Sequence, residues 1–93
     1  MAMRFTDDAW KKTVARLRAA YESGGTDALK RLNHNEQGIL YAEIRRDVRE
    51  TQGRLQQSPG DELATLRLWK AERAAAGIAG FLREQERDRG IER

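Results

Sequence analysis

The chain has 93 residues, of which 39% are hydrophobic and 35% charged, with one His and no Cys. This length predicts one small domain over residues 1–93 and leaves little room for a closed catalytic pocket beside a core. The absence of Cys excludes disulfides, thiolate zinc sites, iron–sulfur clusters and cysteine nucleophiles.

The charges are nearly balanced and interspersed along the chain. There are 18 Lys and Arg against 15 Asp and Glu, a formal charge of +3, which is a weak basic bias and not a nucleic-acid-binding tail. The first residues hold no apolar h-region, and no segment approaches the roughly 18 apolar residues that span a bilayer. We therefore expect a cytoplasmic protein with no membrane partner. The abundance of Arg, Ala and Gly indicates the codon bias of a GC-rich genome, and the composition is typical of a bacterial or phage accessory protein.

The first helix is predicted over about 7–23. Apolar residues recur there at spacings of four, three and four, which place them on one helix face: Trp10, Val14, Leu17 and Tyr21. Thr6 is the expected N-cap, and Phe5 is expected to pack on Trp10 as a hydrophobic staple. The pair Gly24–Gly25 is expected to end this helix, because Gly tolerates the left-handed conformation. A short helix is predicted to follow over about 27–32.

The third helix is predicted over about 34–57. Asn33 and Glu36 stand at the positions of a capping box at its start. The predicted core side is a narrow stripe of residues at helical spacing: Leu40, Tyr41, Ile44, Val48, Thr51 and Leu55. Gly53 should weaken the last turns by about 1 kcal/mol relative to Ala.

The fourth helix is predicted over about 59–89. Ser58 is the expected N-cap, with Pro59 at the first helical position and Asp61 two residues further on. No segment shows the alternation of a strand. The predicted fold class is therefore all-α, a three- to four-helix bundle with a long hairpin of the third and fourth helices, which could form a dimer.

The apolar residues of the fourth helix do not fit one stripe. The predicted core side is Leu63, Leu66, Ala74, Gly77, Ile78 and Phe81, widened by Ala64, Leu68, Ala71, Ala75 and Leu82. Trp69 falls nearly opposite, together with Ala76 and Gly80. Two interpretations remain open: a central helix with a tight crossing inside the chain, or a surface that binds a partner through Trp69, Arg73, Ala76 and Gly80.

A cationic face on the third helix offers a second candidate site. Arg45, Arg46 and Arg49 share this face and could contact nucleic-acid phosphates. The alternative is a solvated face, with Glu43, Asp47 and Glu50 nearby and ion pairs such as Arg46–Glu50.

The sequence offers no catalytic or metal-binding constellation. His34 is the only imidazole and lies in a predicted helix cap, where a lone His makes no recognisable zinc site. We therefore expect no enzyme, no cofactor, no metal and no small-molecule substrate. The hypothesis is a protein–protein interaction module, an adaptor, assembly subunit or inhibitor of a larger complex, whose partner is another protein or a second copy. The alternative is a nucleic-acid-binding protein.

Overall fold

The computed structural model describes residues 7–91, and over this range all regular structure is helical. It forms three helices, α1 (Asp7–Arg31), α2 (His34–Gln57) and α3 (Glu62–Ile91). The all-α prediction is confirmed and a four-helix count is wrong. No helix in this range is long and apolar enough to cross a membrane. The predicted Thr6 cap and Phe5 staple lie outside the described residues.

Helix α1 contains both of the first two predicted helices. Gly25 has φ 60° and ψ −140°, which is not helical, yet the helix resumes directly after it and continues to Arg31. The predicted break at Gly24–Gly25 is therefore present, at Gly25, but it is a kink within α1 that no connecting segment follows. A single residue absorbs the change of direction, so no loop is needed, and Ala28 and Leu29 beyond it are buried.

Tertiary contacts divide the chain into two units, Met1–Leu40 and Tyr41–Arg93, with the division inside α2. Each unit is described below by itself, and the single domain over 1–93 stays a prediction. The apolar core of the first unit comes from both parts of α1 and the start of α2: Val14, Leu17, Ala28, Leu29 and Leu40.

The junction between α1 and α2 is a reciprocal capping box, as predicted. The Glu36 amide donates to Asn33 Oδ1 at 2.8 Å, and the Asn33 amide donates to Glu36 Oε1 at 3.1 Å. Arg16 of α1 also pairs with Glu36 Oε2 at 3.1 Å. The hydrogen bond from the Asn33 backbone, followed by the one from Arg16, lowers the pKa of Glu36 below its ordinary value of 4.5.

Gln37 closes the end of α1 from the first turns of α2. Its side chain is buried, and Nε2 donates to the carbonyls of Leu29 at 2.7 Å and Leu32 at 3.2 Å. The last carbonyls of a helix have no partner within that helix, so this amide satisfies groups that burial would otherwise leave unpaired. The predicted core side of this helix did not include Gln37.

In the second unit, a four-residue connection joins α2 to α3. The Asp61 amide donates to the Ser58 carbonyl at 3.1 Å and closes a turn through Pro59 and Gly60. Asp61 Oδ1 then accepts from the Ala64 amide at 3.1 Å, so Asp61 is the N-cap of α3. The prediction of Ser58 as the N-cap is wrong, because the fixed φ of Pro suits this turn as well as a first helical position.

The core of the second unit is narrow and rich in small residues. Residues of α3 are buried at every seventh position, Ala64, Ala71 and Ile78, and from α2 the buried residues include Ile44 and Thr51. The predicted core side of α3 is correct for Ile78 and wrong for Leu63, Leu66 and Gly77, which are exposed.

Asp47 is a charged member of this core. Its side chain is only 5% exposed, accepts from Thr51 Oγ1 at 3.4 Å and pairs with Arg67 Nη2 of α3 at 3.2 Å. The sequence interpretation placed Asp47 on a solvated face, which is wrong.

Candidate interaction face

Three large apolar side chains of α3 are exposed, and two of them, Leu66 and Trp69, lie opposite its buried residues. Leu63 is 81% exposed, Leu66 51% and Trp69 53%. A spacing of seven residues returns to nearly the same side of a helix, so the buried series beginning at Ala64 fixes the inner side and leaves Trp69 on the other. We call Leu66, Trp69 and Arg73, with Leu63 at their edge, the outer face, since Leu63 precedes the buried Ala64 and lines a cleft toward α2.

Trp69 is held in place by a cation–π contact. The guanidinium carbon of Arg73 lies 4.8 Å from the centre of the Trp69 ring, one helical turn away. A guanidinium that stacks by its flat side keeps its N–H groups at the edge, where they can still bind a carboxylate. The contact therefore orders a large aromatic side chain at the surface beside available hydrogen-bond donors.

The two small residues of the predicted site, Ala76 and Gly80, follow Trp69 and Arg73 by seven residues each and lie on the same side. Ala76 is exposed and Gly80 half-buried. A Cβ added at Gly80 would meet no atom within 4 Å among the described residues. A close approach of two backbones is therefore not what places a glycine here, and the interpretation as a tight crossing inside the chain finds no support at this position.

Leu63 and Leu66 are the residues of this face that the sequence interpretation missed, because they were assigned to the core. The sequence does indicate the position of Leu66, because Leu66 precedes Trp69 by three residues and such a spacing puts both on one side of a helix. The heptad spacing of Ala64, Ala71 and Ile78 marks the inner side. Alanines add little to a hydrophobic pattern, so the larger leucines dominated the prediction.

The cationic face of α2 is partly neutralised within the chain. Arg46 lies 3.6 Å from Glu43 and 3.5 Å from Glu50, so the predicted Arg46–Glu50 pair is present. Arg45 Nη1 donates to the Tyr41 hydroxyl at 3.2 Å, with the guanidinium 5.9 Å from the ring centre. Arg49 is exposed. These contacts hold the Arg46 charge beside two carboxylates, which weakens its attraction for phosphate.

A shallow cleft of about 300 Å³ lies beside the turn between α2 and α3. Asp47 and Arg67 line it and are paired with each other. Within the part of the chain that the structure describes, no three His, Asp or Glu side chains come together as a metal site. His34 is exposed at the first position of α2.

The chain matches no known protein family, no curated protein and no solved structure. The exposure and chemistry of the outer face are therefore the strongest indications of what the protein does. Most large apolar side chains of a small soluble domain lie inside, and an exposed group of them marks an interaction site.

Proposed function

We propose that this protein is a small non-enzymatic interaction module that binds another protein chain through the outer face of α3. In this role it serves as an adaptor, an assembly subunit or an inhibitor of a larger complex. The observation that carries the proposal is the exposure of Leu66 and Trp69 on the side of α3 that faces away from its buried residues, with Leu63 exposed at the edge of this side.

The composition of this face supports protein binding. Trp and Arg are the residue types most enriched among those that dominate binding energy, and here Trp69 and Arg73 stand together at 4.8 Å. Truncating such a residue typically costs about 2 kcal/mol or more of binding energy. Because Trp69 is half exposed, its truncation should leave the helices folded.

The test is affinity capture with the tagged chain from a lysate of a GC-rich bacterium, half of it treated with nuclease. We expect a retained protein that survives nuclease and whose binding falls at least about tenfold with Trp69→Ala. Trp10→Ala is the matched control, since Trp10 is also at the surface, 36% exposed, but belongs to α1.

Circular dichroism shows whether the Trp69→Ala variant is folded. If that variant is unfolded, Leu66→Ser is used as the test variant in its place. Capture that is unchanged by both variants would contradict the proposal. Recovery of nucleic acid, lost with Arg45→Glu, would instead favour the cationic face of Arg45, Arg46 and Arg49.

A further inference from the structure

We infer that the occupant of the outer face is a second copy of this chain, bound by antiparallel pairing of two α3 helices. In this pairing Glu62 of each copy lies beside Arg73 of the other, and Leu66 lies beside Trp69. The inference rests on the proposed function and names the partner that this function leaves open.

The order of residues along α3 is complementary to its own reverse. Glu62, Leu66, Trp69 and Arg73 are spaced by four, three and four residues, which keeps them on one side of the helix. Reading the same residues backwards gives base, aromatic, aliphatic, acid at the same spacings. A two-fold axis between Leu66 and Trp69 therefore brings acid to base and apolar to apolar at every position, as a symmetric interface requires.

Charge favours this arrangement over two other pairings of the same face. A parallel pairing would place Glu62 beside Glu62 and Arg73 beside Arg73. An antiparallel pairing centred between Trp69 and Arg73 would bring Lys70 of one copy near Lys70 of the other. It would also bring Glu72 of one copy near Glu72 of the other. Like charges placed opposite each other are unfavourable, and such contacts set register and orientation between paired helices.

The flanking residues agree with the selected register. They bring the exposed Lys70 of one copy beside Leu63 of the other, where its aliphatic stem can cover the most exposed leucine of the face. Arg73 can keep its contact with Trp69 of its own chain, because stacking uses the flat side of the guanidinium. Its edge N–H groups remain available for the Glu62 carboxylate of the second copy.

The area of the face sets the strength of the dimer. The exposed parts of Leu63, Leu66 and Trp69 amount to on the order of 300 Å² per copy. Even with the charged rim, two copies bury less than the roughly 1,200 Å² at which stable interfaces begin. The dimer is therefore weak, with a Kd in the high micromolar range or above, and salt weakens it further.

Sedimentation velocity and equilibrium up to millimolar protein concentration, at low salt, test this pairing with the intact chain. We expect wild type to self-associate, and Glu62→Arg and Arg73→Glu each to raise the Kd of self-association at least about tenfold. An equimolar mixture of the two variants should associate about as well as wild type, because each variant then meets the opposite charge at both ends of the interface.

Glu84→Arg is the matched control, because it makes the same charge change at an exposed position of α3 beyond the paired segment. It should leave self-association within about twofold of wild type. Circular dichroism confirms that each variant keeps its helices.

A monomeric wild type at all concentrations would overturn the dimer while leaving the proposed function standing, provided that a different protein is captured through Trp69. Two charge variants that self-associate like wild type, or a mixture that does not recover, would overturn the register. Failure of the proposed function is distinct, because it appears as capture that Trp69→Ala does not change.

Discussion

At the scale of single residues, the least expected feature is the burial of Asp47. The carboxylate lies inside the second unit and depends on Arg67, which reaches it from the neighbouring helix while its own side chain is 61% exposed. Removing one partner of a buried ion pair destabilises a protein, because the other charge stays buried without its partner. Removing both partners costs much less stability, because no buried charge is left behind. The two partners therefore differ in how much they depend on the pair. Without it the exposed Arg67 side chain is solvated, whereas the Asp47 carboxylate stays buried.

Arg67→Ala is expected to lower the free energy of unfolding by about 1–3 kcal/mol, because it removes the guanidinium that pairs with the buried Asp47 carboxylate. The double variant Asp47→Ala with Arg67→Ala should recover part of this loss. Urea denaturation of wild type, both single variants and the double variant measures the coupling.

The exposed pair Arg46–Glu50 is the control for this cycle. Its side chains are 57% and 65% exposed, so Glu50→Ala should change stability by no more than about 0.5 kcal/mol. A double variant that is as unstable as the sum of the two single variants would contradict the role given to Asp47 and Arg67.

Glu36 is expected to make the first unit sensitive to acid. Its pKa is lowered in the folded chain, by the Asn33 backbone first and by Arg16 next, so the unfolded chain binds the proton more readily. The resulting stabilisation is present above the ordinary pKa of 4.5 and is lost as the pH falls through the lower folded value.

Glu36→Gln keeps an oxygen that can accept from the Asn33 amide but removes the charge. We expect wild type to be the more stable chain at pH 7, and the difference to shrink as the pH falls from 4.5 through the lower folded pKa of Glu36. Thermal unfolding over a pH series measures it. Arg16→Met should remove only part of the pH dependence, and a difference between wild type and Glu36→Gln that is the same at pH 7 and pH 3 would exclude this account.

At the scale of helices, local chemistry explains where α2 begins but not how α1 continues. The capping box of Asn33 and Glu36 is formed between residues three apart, so it depends on little else in the chain. Two consecutive glycines such as Gly24 and Gly25 are typical both of a helix end and of a kink within a helix, so the sequence does not distinguish the two. The burial of Leu29 beyond it favours the kink, because burial stabilises the renewed helix.

Substitution by Ala should change the free energy of unfolding in opposite directions at Gly25 and at Gly53. Gly25→Ala places a side chain at φ 60° and ψ −140°, where Gly alone is comfortable, and should cost about 1–3 kcal/mol. Gly53 is helical and exposed with free space around it, so Gly53→Ala should add about 0.5–1 kcal/mol. Urea denaturation of both variants measures this change. If both substitutions stabilise the chain, the fold does not require the positive φ of Gly25.

At the scale of the whole molecule, each unit buries few large side chains. Among the described residues, the largest side chains that are fully buried are Leu17, Leu29, Leu40 and Ile78. In the second unit, α3 contributes Ile78 and two alanines to the core and leaves Leu63, Leu66 and Trp69 outside. Placing small residues inside and large apolar residues outside does not maximise the stability of a single chain, and it is typical of a helix that binds on two sides.

The amino-acid sequence alone predicts the all-α class, the extent of α2 and its capping box. These follow from the 3.6-residue period and from hydrogen bonds between near neighbours, which are local. It also distinguished Trp69 from the rest of α3, since a position on a helix surface depends only on spacing.

The packing of the helices against each other determines which side of α3 is buried and places Asp47 in the core. A helix with apolar residues on most of its circumference has no side that the pattern prefers, so its orientation depends on what it packs against. The burial of Asp47 likewise depends on Arg67, a residue twenty positions away that no local rule connects to it. Burial is a property of packed helices, and the sequence of one helix does not contain it.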